Sequence, residues 1–159
     1  MSLELRVDTA LAAPGPRSFP AAHPPGHPES RAVHPSVPTQ PFLDVLVIDD
    51  DRDTRTLLDC LCTDAGYRVD HAGSGAAGLA IAAATSPRLV VLDIHMPDMD
   101  GLTVARYLRA LTPTTAVLAM TADMVLLDRA DIQFPLVAKP FAFDALMAQI
   151  MALLRPRPS

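Results

Sequence analysis

The sequence predicts an α/β fold in which helices cover both faces of one parallel, five-stranded sheet. After Pro41, short aliphatic runs alternate with longer stretches of helical periodicity, which is the pattern of repeated βαβ units. The middle runs are apolar at nearly every position, as expected of strands buried on both faces. The length agrees, because 159 residues allow one such domain and do not accommodate two.

The first 41 residues differ in composition from the rest of the chain. They contain 9 of the 16 prolines, and proline removes backbone donors and biases its neighbours away from helix. We therefore expect a disordered, polyproline-like N-terminal tail over residues 1–41, a folded domain over 42–154 and a short C-terminal tail over 155–159.

The five predicted strands follow the aliphatic runs. The second strand alternates apolar and polar residues, and the fifth contains Pro135, which cannot donate to a central ladder, so both are expected at sheet edges. Edge positions for both fit the strand order 2-1-3-4-5 of a flavodoxin-like, doubly wound sheet. The predicted strands cover residues 43–48, 67–71, 88–92, 115–120 and 134–138.

Helices are predicted between the strands and after the last one. The first, over 52–65, stops at Gly66, a residue suited to a left-handed terminator, and Ser74 is a suitable N-cap for the second. The third covers about 102–111, with Val104, Leu108 and Leu111 in helical register. The last helix carries a core stripe at helical spacing, formed by Phe143, Leu146, Met147, Ile150 and Leu154.

The fourth helix is expected to be short. Only 17 residues lie between Thr121 and Lys139, and they must supply a helix, a loop and the fifth strand. About two helical turns fit into that length.

Charge excludes several classes of function. Residues 42–154 hold 15 acidic residues against 8 basic ones, and a field of that sign repels phosphate backbones and anionic membranes. We therefore expect no direct nucleic-acid binding. We expect no membrane insertion either, because the aliphatic runs are far shorter than the roughly 18 residues of a membrane span. With no secretory signal recognised, the expected location is cytoplasmic.

The residues of chemical interest stand at the carboxyl ends of the predicted strands, where open parallel sheets bind ligands. Asp49 and Asp50 follow strand one, Asp93 follows strand three, Thr121 follows strand four and Lys139 follows strand five. In the order 2-1-3-4-5, strands one and three are neighbours. Three carboxylates are then expected to share one cleft with a hydroxyl group and an ammonium group.

Carboxylates crowded in this way favour a bound cation, because they cannot all ionise cheaply without one. Oxygen ligands select a hard divalent ion, Mg²⁺ before Ca²⁺. Mg²⁺ usually takes one or two carboxylates and leaves its other positions for water or phosphoryl oxygens, and a central carboxylate can act as a nucleophile. Lys139 is the only lysine among 13 basic residues, which suggests a role that needs a compact ammonium group.

The motifs at these positions resemble the receiver domain of two-component response regulators. The resemblance extends over residues 42–154. It rests on VLVIDDD (45–51), LVVLDIHMPDMDG (89–101), MTA (120–122) and KPF (139–141).

This resemblance implies that Asp93 is the phosphoacceptor, which takes a phosphoryl group from the phosphohistidine of a histidine kinase or a histidine phosphotransfer protein. Asp49, Asp50, Asp93 and the backbone carbonyl of His95 would hold Mg²⁺. Such a site suits in-line phosphoryl transfer, which depends mainly on positioning and charge neutralisation.

The resemblance also assigns roles to the other residues of the cleft. Thr121 would bond a phosphoryl oxygen, and Lys139 would pair with its charge and precede Pro140 through a cis peptide bond. His95 and Asp123 would tune loss of the phosphoryl group, although a solvent-facing loop residue is an equal alternative for His95.

Two features depart from the pattern of the family. The segment between Thr121 and Lys139 is shorter by roughly four residues, which is about one helical turn. The position three before Lys139, usually aromatic and coupled to the threonine in switching, is Leu136. Phe134, two residues away on the predicted strand, is a candidate substitute.

The leading hypothesis is a stand-alone, single-domain response regulator that signals to a downstream protein through altered protein contacts. The alternative is a pseudo-receiver, an interaction module without a phosphorylation-driven switch. The short fourth helix and Leu136 favour that alternative, whereas the intact acidic set, Thr121 and Lys139 oppose it.

An aspartyl-phosphate phosphohydrolase usually has an acid-base aspartate two residues after its nucleophile. His95 stands there, so we do not expect a turnover enzyme.

Overall fold

The computed structural model describes residues 42–155. The predicted N-terminal tail and residues 156–159 lie outside this range. Strands and helices alternate along the described chain. They are β1 (Val45–Ile48), α1 (Arg52–Asp64), β2 (Val69–Ala72), α2 (Gly75–Thr85), β3 (Leu89–Asp93), α3 (Gly101–Leu111), β4 (Ala116–Thr121), α4 (Met124–Leu127), β5 (Leu136–Ala138) and α5 (Phe143–Leu154).

All strand pairs are parallel, and the sheet order is β2-β1-β3-β4-β5. The predicted fold class and both edge assignments are therefore confirmed. β1 pairs with β3 in a register that sets Ile48 opposite Leu92. The residues that follow Ile48 and Leu92 consequently meet at one end of the sheet.

The sheet has an apolar core on each face, because alternate residues of a strand point in opposite directions. Val45 and Val47 of β1 pack on the side of α1 and α5, together with Leu58 and Ile150. Leu46 and Ile48 pack on the other side, with Val104 and Leu108 of α3 among their neighbours. Every residue of β1 and β3 is buried, which confirms that these are central strands.

Several predicted helix boundaries are confirmed by their caps. The Asp51 carboxylate accepts hydrogen bonds from the backbone N–H groups of Asp53 and Thr54 at the start of α1, and the Ser74 hydroxyl accepts from the N–H of Ala77 in α2. Gly66, with φ +88°, follows α1. Each cap gives a partner to a helix-end group that the helix leaves unbonded.

Several local predictions need correction. α4 has four residues, a single turn instead of two. β5 begins at Leu136 and not at Phe134, because Pro135 has no N–H and contributes only its carbonyl, which accepts from the N–H of Ala119 at 2.9 Å. Phe143 is 46% exposed: it opens α5 beside the Phe141 ring, with centroids 6.0 Å apart, instead of entering the core.

The third helix also buries less than predicted. Val104 and Leu108 are buried, whereas Leu111 is 53% exposed at the end of α3. No helix within residues 42–155 is long and apolar enough to cross a membrane.

Candidate functional site

The carboxyl end of the sheet brings the predicted site residues together. Asp49 directly follows β1, Asp93 ends β3 and Thr121 ends β4. Lys139 directly follows β5, and the peptide bond from Lys139 to Pro140 is cis, as predicted. Parallel pairing places these strand ends on the same edge of the sheet.

Three carboxylates form a cluster at this edge. Asp49, Asp50 and Asp93 each offer one oxygen, and these oxygens lie within 4.8 Å of one another. Asp49 and Asp93 are buried, with 0% and 5% exposure, whereas Asp50 is exposed. The cluster is therefore open to solvent on the side of Asp50 and closed on the other.

Lys139 joins the two buried carboxylates. Its Nζ lies 3.0 Å from Oδ2 of Asp49 and 3.3 Å from Oδ1 of Asp93. Burial lowers the pKa of Lys139, but hydrogen bonds and charge from the two aspartates outweigh burial and raise it. Lys139 is consequently held as a cation between them.

The pKa of Asp49 is raised even though Lys139 is its partner. Burial raises its pKa and the nearby charge of Asp93 adds to the rise. The N–H of Asp51, which donates to Oδ1 of Asp49 at 2.8 Å, and the Lys139 ammonium act in the opposite direction but do not reverse the shift. Such a site is stabilised by additional positive charge.

The side chain of Thr121 contacts His95 instead of the carboxylates. Its hydroxyl oxygen lies 3.3 Å from Nε2 of His95 and accepts a hydrogen bond from the N–H of Asp123 at 3.0 Å. Asp123 in turn caps α4, accepting from the N–H of Val125 at 2.9 Å. Thr121 is thereby linked to the start of α4 through a single residue.

His95 touches the cluster through its backbone. Its N–H donates to Oδ1 of Asp93 at 3.3 Å, while the residue as a whole is exposed. The predicted use of its carbonyl as a metal ligand stays a prediction. Its side chain is more than a solvent-facing group, because it is the partner of the Thr121 hydroxyl.

Arg55 is a site residue that sequence reasoning missed. Its Nη1 donates to the backbone carbonyl of Asp49 at 2.6 Å and to that of Asp50 at 2.9 Å. It therefore braces the loop that carries two of the three carboxylates. A signal was present in the sequence: a positive charge in the first turns of a helix opposes the helix dipole, and such a residue needs another partner.

Gly101 allows α3 to begin against the end of β3. A Cβ atom at this position would lie 2.4 Å from the carbonyl oxygen of Asp93, which no side chain permits. The backbone N–H of Gly101 instead donates to the carbonyl of Ile94 at 2.9 Å. The loop between β3 and α3 is thus anchored directly behind Asp93.

The donor set fits a hard divalent cation. All three clustered ligands are carboxylate oxygens, two of them from buried residues, and the pKa of Asp49 is raised chiefly by its burial, with the charge of Asp93 adding to the rise. Mg²⁺ binds such sets through one or two carboxylates and retains other positions for water or phosphoryl oxygens.

The family model for the response regulator receiver domain matches residues 45–151. The chain therefore belongs to the response regulator receiver family. Receiver domains accept phosphoryl groups from histidine kinases and bind Mg²⁺ at their acidic pocket. The family assignment confirms the receiver domain of two-component systems that the motifs predicted, and aspartyl phosphorylation is a general feature of this family.

Individual relatives agree with this assignment. The response regulator MprA of Mycolicibacterium vanbaalenii is 39% identical over 118 residues, which are 70% of this chain and 50% of that protein. This chain spans about half the length of the curated relatives it matches.

Solved structures agree as well. The response regulator TrrA of Thermotoga maritima, in complex with Mg²⁺ and BeF, is 31% identical, with TM-score 0.63 and coverage of 70% of this chain and 99% of that one. The chemotaxis protein CheY4 of Vibrio cholerae is 24% identical, with TM-score 0.63 and coverage of 70% and 98%. The CheY4 likeness supports the fold alone.

Proposed function

We propose that this domain accepts a phosphoryl group on Asp93 from a histidine kinase or a histidine phosphotransfer protein. Mg²⁺ would be held by Asp49, Asp50, Asp93 and the carbonyl of His95. The observation that carries the proposal is the position of the Lys139 ammonium, 3.0 Å from Asp49 and 3.3 Å from Asp93, beside three clustered carboxylates.

The contacts of Asp93 support a role as the nucleophile. Both the N–H of His95 and the Nζ of Lys139 approach Oδ1. Within the described residues Oδ2 has no hydrogen-bond donor, and we assign it to the attack on phosphorus. Asp93 as a whole residue is 5% exposed, so its carboxylate is open to a phosphoryl group while its contact with bulk water is limited.

In the proposed step an Asp93 carboxylate oxygen forms a bond to phosphorus as the phosphorus–nitrogen bond of the donor phosphohistidine breaks. The electron pair of the broken bond returns to the imidazole of the donor. Bound Mg²⁺ supplies charge neutralisation for the phosphoryl oxygens. Lys139 supplies a fixed positive charge on the other side, and Thr121 exchanges its contact with His95 for a phosphoryl oxygen.

Intact mass spectrometry tests the proposal. After incubation with Mg²⁺ and acetyl phosphate, we expect one added phosphoryl group, absent without Mg²⁺ and absent in Asp93→Asn. Asp100→Asn is the matched control, because Asp100 is an exposed carboxylate on the same loop whose side chain makes no capping hydrogen bond. Phosphorylation of Asp93→Asn at the normal rate would contradict the assignment.

A pseudo-receiver is the second candidate, favoured by the four-residue α4 and by Leu136. A beryllofluoride complex, which mimics the phosphoryl group, distinguishes the two. Amide shifts that extend through residues 122–138 would support a working switch. Shifts confined to the carboxylate cluster and Lys139 would support an interaction module without a switch.

We further propose that the protein acts as a single-domain regulator and not as a turnover enzyme. Altered contacts with a downstream protein would then carry the signal. An immunoblot of source cells tests the first point, with one band expected at the size of a 159-residue chain. Phosphate release measured with excess acetyl phosphate and Mg²⁺ tests the second: we expect slow release, and sustained rapid release would contradict the proposal. The cytoplasmic location stays a prediction, which cell fractionation would test.

A further inference from the structure

A cleft of about 330 Å³ lies between α3 and residues 129–134. α4 ends at Leu127, and the chain then returns to the sheet as an irregular segment, so the gap beside α3 is not filled by helix. The apolar part of the lining is formed by Leu102, Ala105, Ile132 and Phe134. A volume of this size lies at the lower end of the range of ligand-binding clefts.

Positive charge is concentrated at this cleft. Three of the eight basic residues in 42–154 line it, namely Arg106, Arg109 and Arg129, in a domain where acidic residues prevail. Two carboxylates, Asp100 and Asp131, also line the cleft. The lining therefore carries a local excess of positive charge against the sign of the whole domain.

The three arginines differ in their present partners. Arg129 is paired with Asp131, with Nε of the arginine 2.9 Å from Oδ1 of the aspartate. Arg109 donates from Nη1 only to the neutral amide oxygen of Gln133, at 2.9 Å. Arg106 donates to the hydroxyl of Thr103 on its own helix, at 3.1 Å.

Arg106 and Arg109 thus have no carboxylate within 4.0 Å among the described residues. They lie three residues apart on α3, so their side chains are neighbours on one helical face. Two guanidinium groups so placed match a carboxylate, which can accept parallel hydrogen bonds from an arginine fork. The bond between Arg129 and Asp131 shows this geometry within the cleft itself.

We propose that the cleft binds an acidic peptide segment of a partner protein. A carboxylate of the segment pairs with Arg106 and Arg109, and an adjacent apolar side chain packs on Leu102, Ile132 and Phe134. Nucleic acid is the less favoured anion, because the acidic excess of the domain repels an extended phosphate backbone. The proposal goes beyond phosphoryl transfer and does not depend on it.

An NMR titration of the full-length, unphosphorylated protein tests this surface. The probe is the hexapeptide acetyl-Asp-Glu-Leu-Phe-Asp-Glu-amide, and the control peptide has Asn and Gln in place of the acidic residues. We expect the acidic peptide to shift the amides of α3 and residues 129–134 together with the Nε–H signals of the two arginines. The neutral peptide should bind at least about tenfold more weakly.

Matched variants separate a specific site from general attraction. Arg106→Gln with Arg109→Gln should weaken binding at least about tenfold. The control pair Arg52→Gln with Arg68→Gln removes the same charge from exposed positions outside the cleft and should weaken it less than about threefold. Arg106→Gln alone, which disturbs only a contact within α3, keeps the test valid if the double variant unfolds.

Four results would overturn the proposal. Equal weakening by both double variants would show general charge attraction, and shifts outside the cleft would place the peptide elsewhere. Equal effects of inorganic phosphate and the peptide would show an anion site without peptide recognition. A concentration-dependent change of the same signals without peptide would assign the cleft to a second copy of the chain.

Discussion

The two halves of the sheet differ in the length and burial of their strands and helices. All residues of β1 and β3 are buried, and these strands carry the carboxylates. On the other side of β4, β5 has three residues, of which one is buried, and α4 is a single turn. The carboxylates are therefore set in the continuous core, while the elements that follow Thr121 are short and only partly buried.

The largest expected effect tests this contrast directly. Leu92→Ala removes a fully buried side chain in β3 and should lower the free energy of unfolding by about 3 kcal/mol, because it leaves a cavity in close-packed core. Leu136→Ala, at a half-buried position in β5, should cost only about 1 kcal/mol. Urea denaturation followed by circular dichroism measures both, and equal losses would break the comparison.

The next effect concerns the cation site of the regular half. Asp50→Asn removes the exposed member of the carboxylate cluster and should weaken Mg²⁺ binding more than about tenfold, because ligand charge sets the affinity for hard cations. Isothermal titration calorimetry provides the measurement. Asp53→Asn, an exposed carboxylate in the first turn of α1, is the control. Unchanged affinity in Asp50→Asn would remove Asp50 from the site.

A smaller effect on Mg²⁺ affinity is expected at Arg55, which contacts the backbone of the cluster and not its carboxylates. Arg55→Gln loses the donor that binds the carbonyls of Asp49 and Asp50, so Mg²⁺ affinity should fall about tenfold or less, as for residues that orient ligands. Arg52→Gln, an exposed arginine of the same helix, should bind Mg²⁺ as the unmodified protein does. A fall of similar size in the control would show that the effect of Arg55 is one of net charge.

The smallest effect is expected at the opposite end of β1. Hydrogen bonds from the N–H of Arg68 and the guanidinium of Arg88 lower the pKa of Asp44 in spite of its partial burial, which acts to raise the pKa. A lowered pKa stabilises the fold above the unfolded value of about 3.9 and loses that contribution as the pH falls through the folded value.

Asp44→Asn should consequently reduce the free energy of unfolding at pH 7 by no more than about 1 kcal/mol, since Arg88 is partly exposed. The difference from the unmodified protein should shrink below pH 4. Thermal unfolding measured from pH 3 to pH 7 checks the sign. A difference that grows on acidification would contradict the assignment.

The sequence alone predicted the strand order and the position of the acidic cluster. Alternation in β2 and Pro135 near β5 marked the two edges, and this left the aliphatic runs of β1, β3 and β4 for the centre. Once β1 and β3 are neighbours, Asp49 and Asp93 must meet, because parallel strands end on the same side. Local patterns distinguished the edge strands from the central ones, since burial on both faces leaves a distinctive residue composition, and the order of the central strands followed from the flavodoxin-like template.

Other features depend on contacts between residues far apart in the chain, and only the tertiary structure decided them. The contact between His95 and Thr121, 26 residues apart, has no local signature. The arginine cleft has none either. The 17 residues between Thr121 and Lys139 predicted a short α4, but its reduction from two turns to one is visible only in the structure. The periodicity of one segment determines which of its faces is buried. The packing of the whole domain determines which residues that face contacts. It also determines how much of the segment is regular helix or strand.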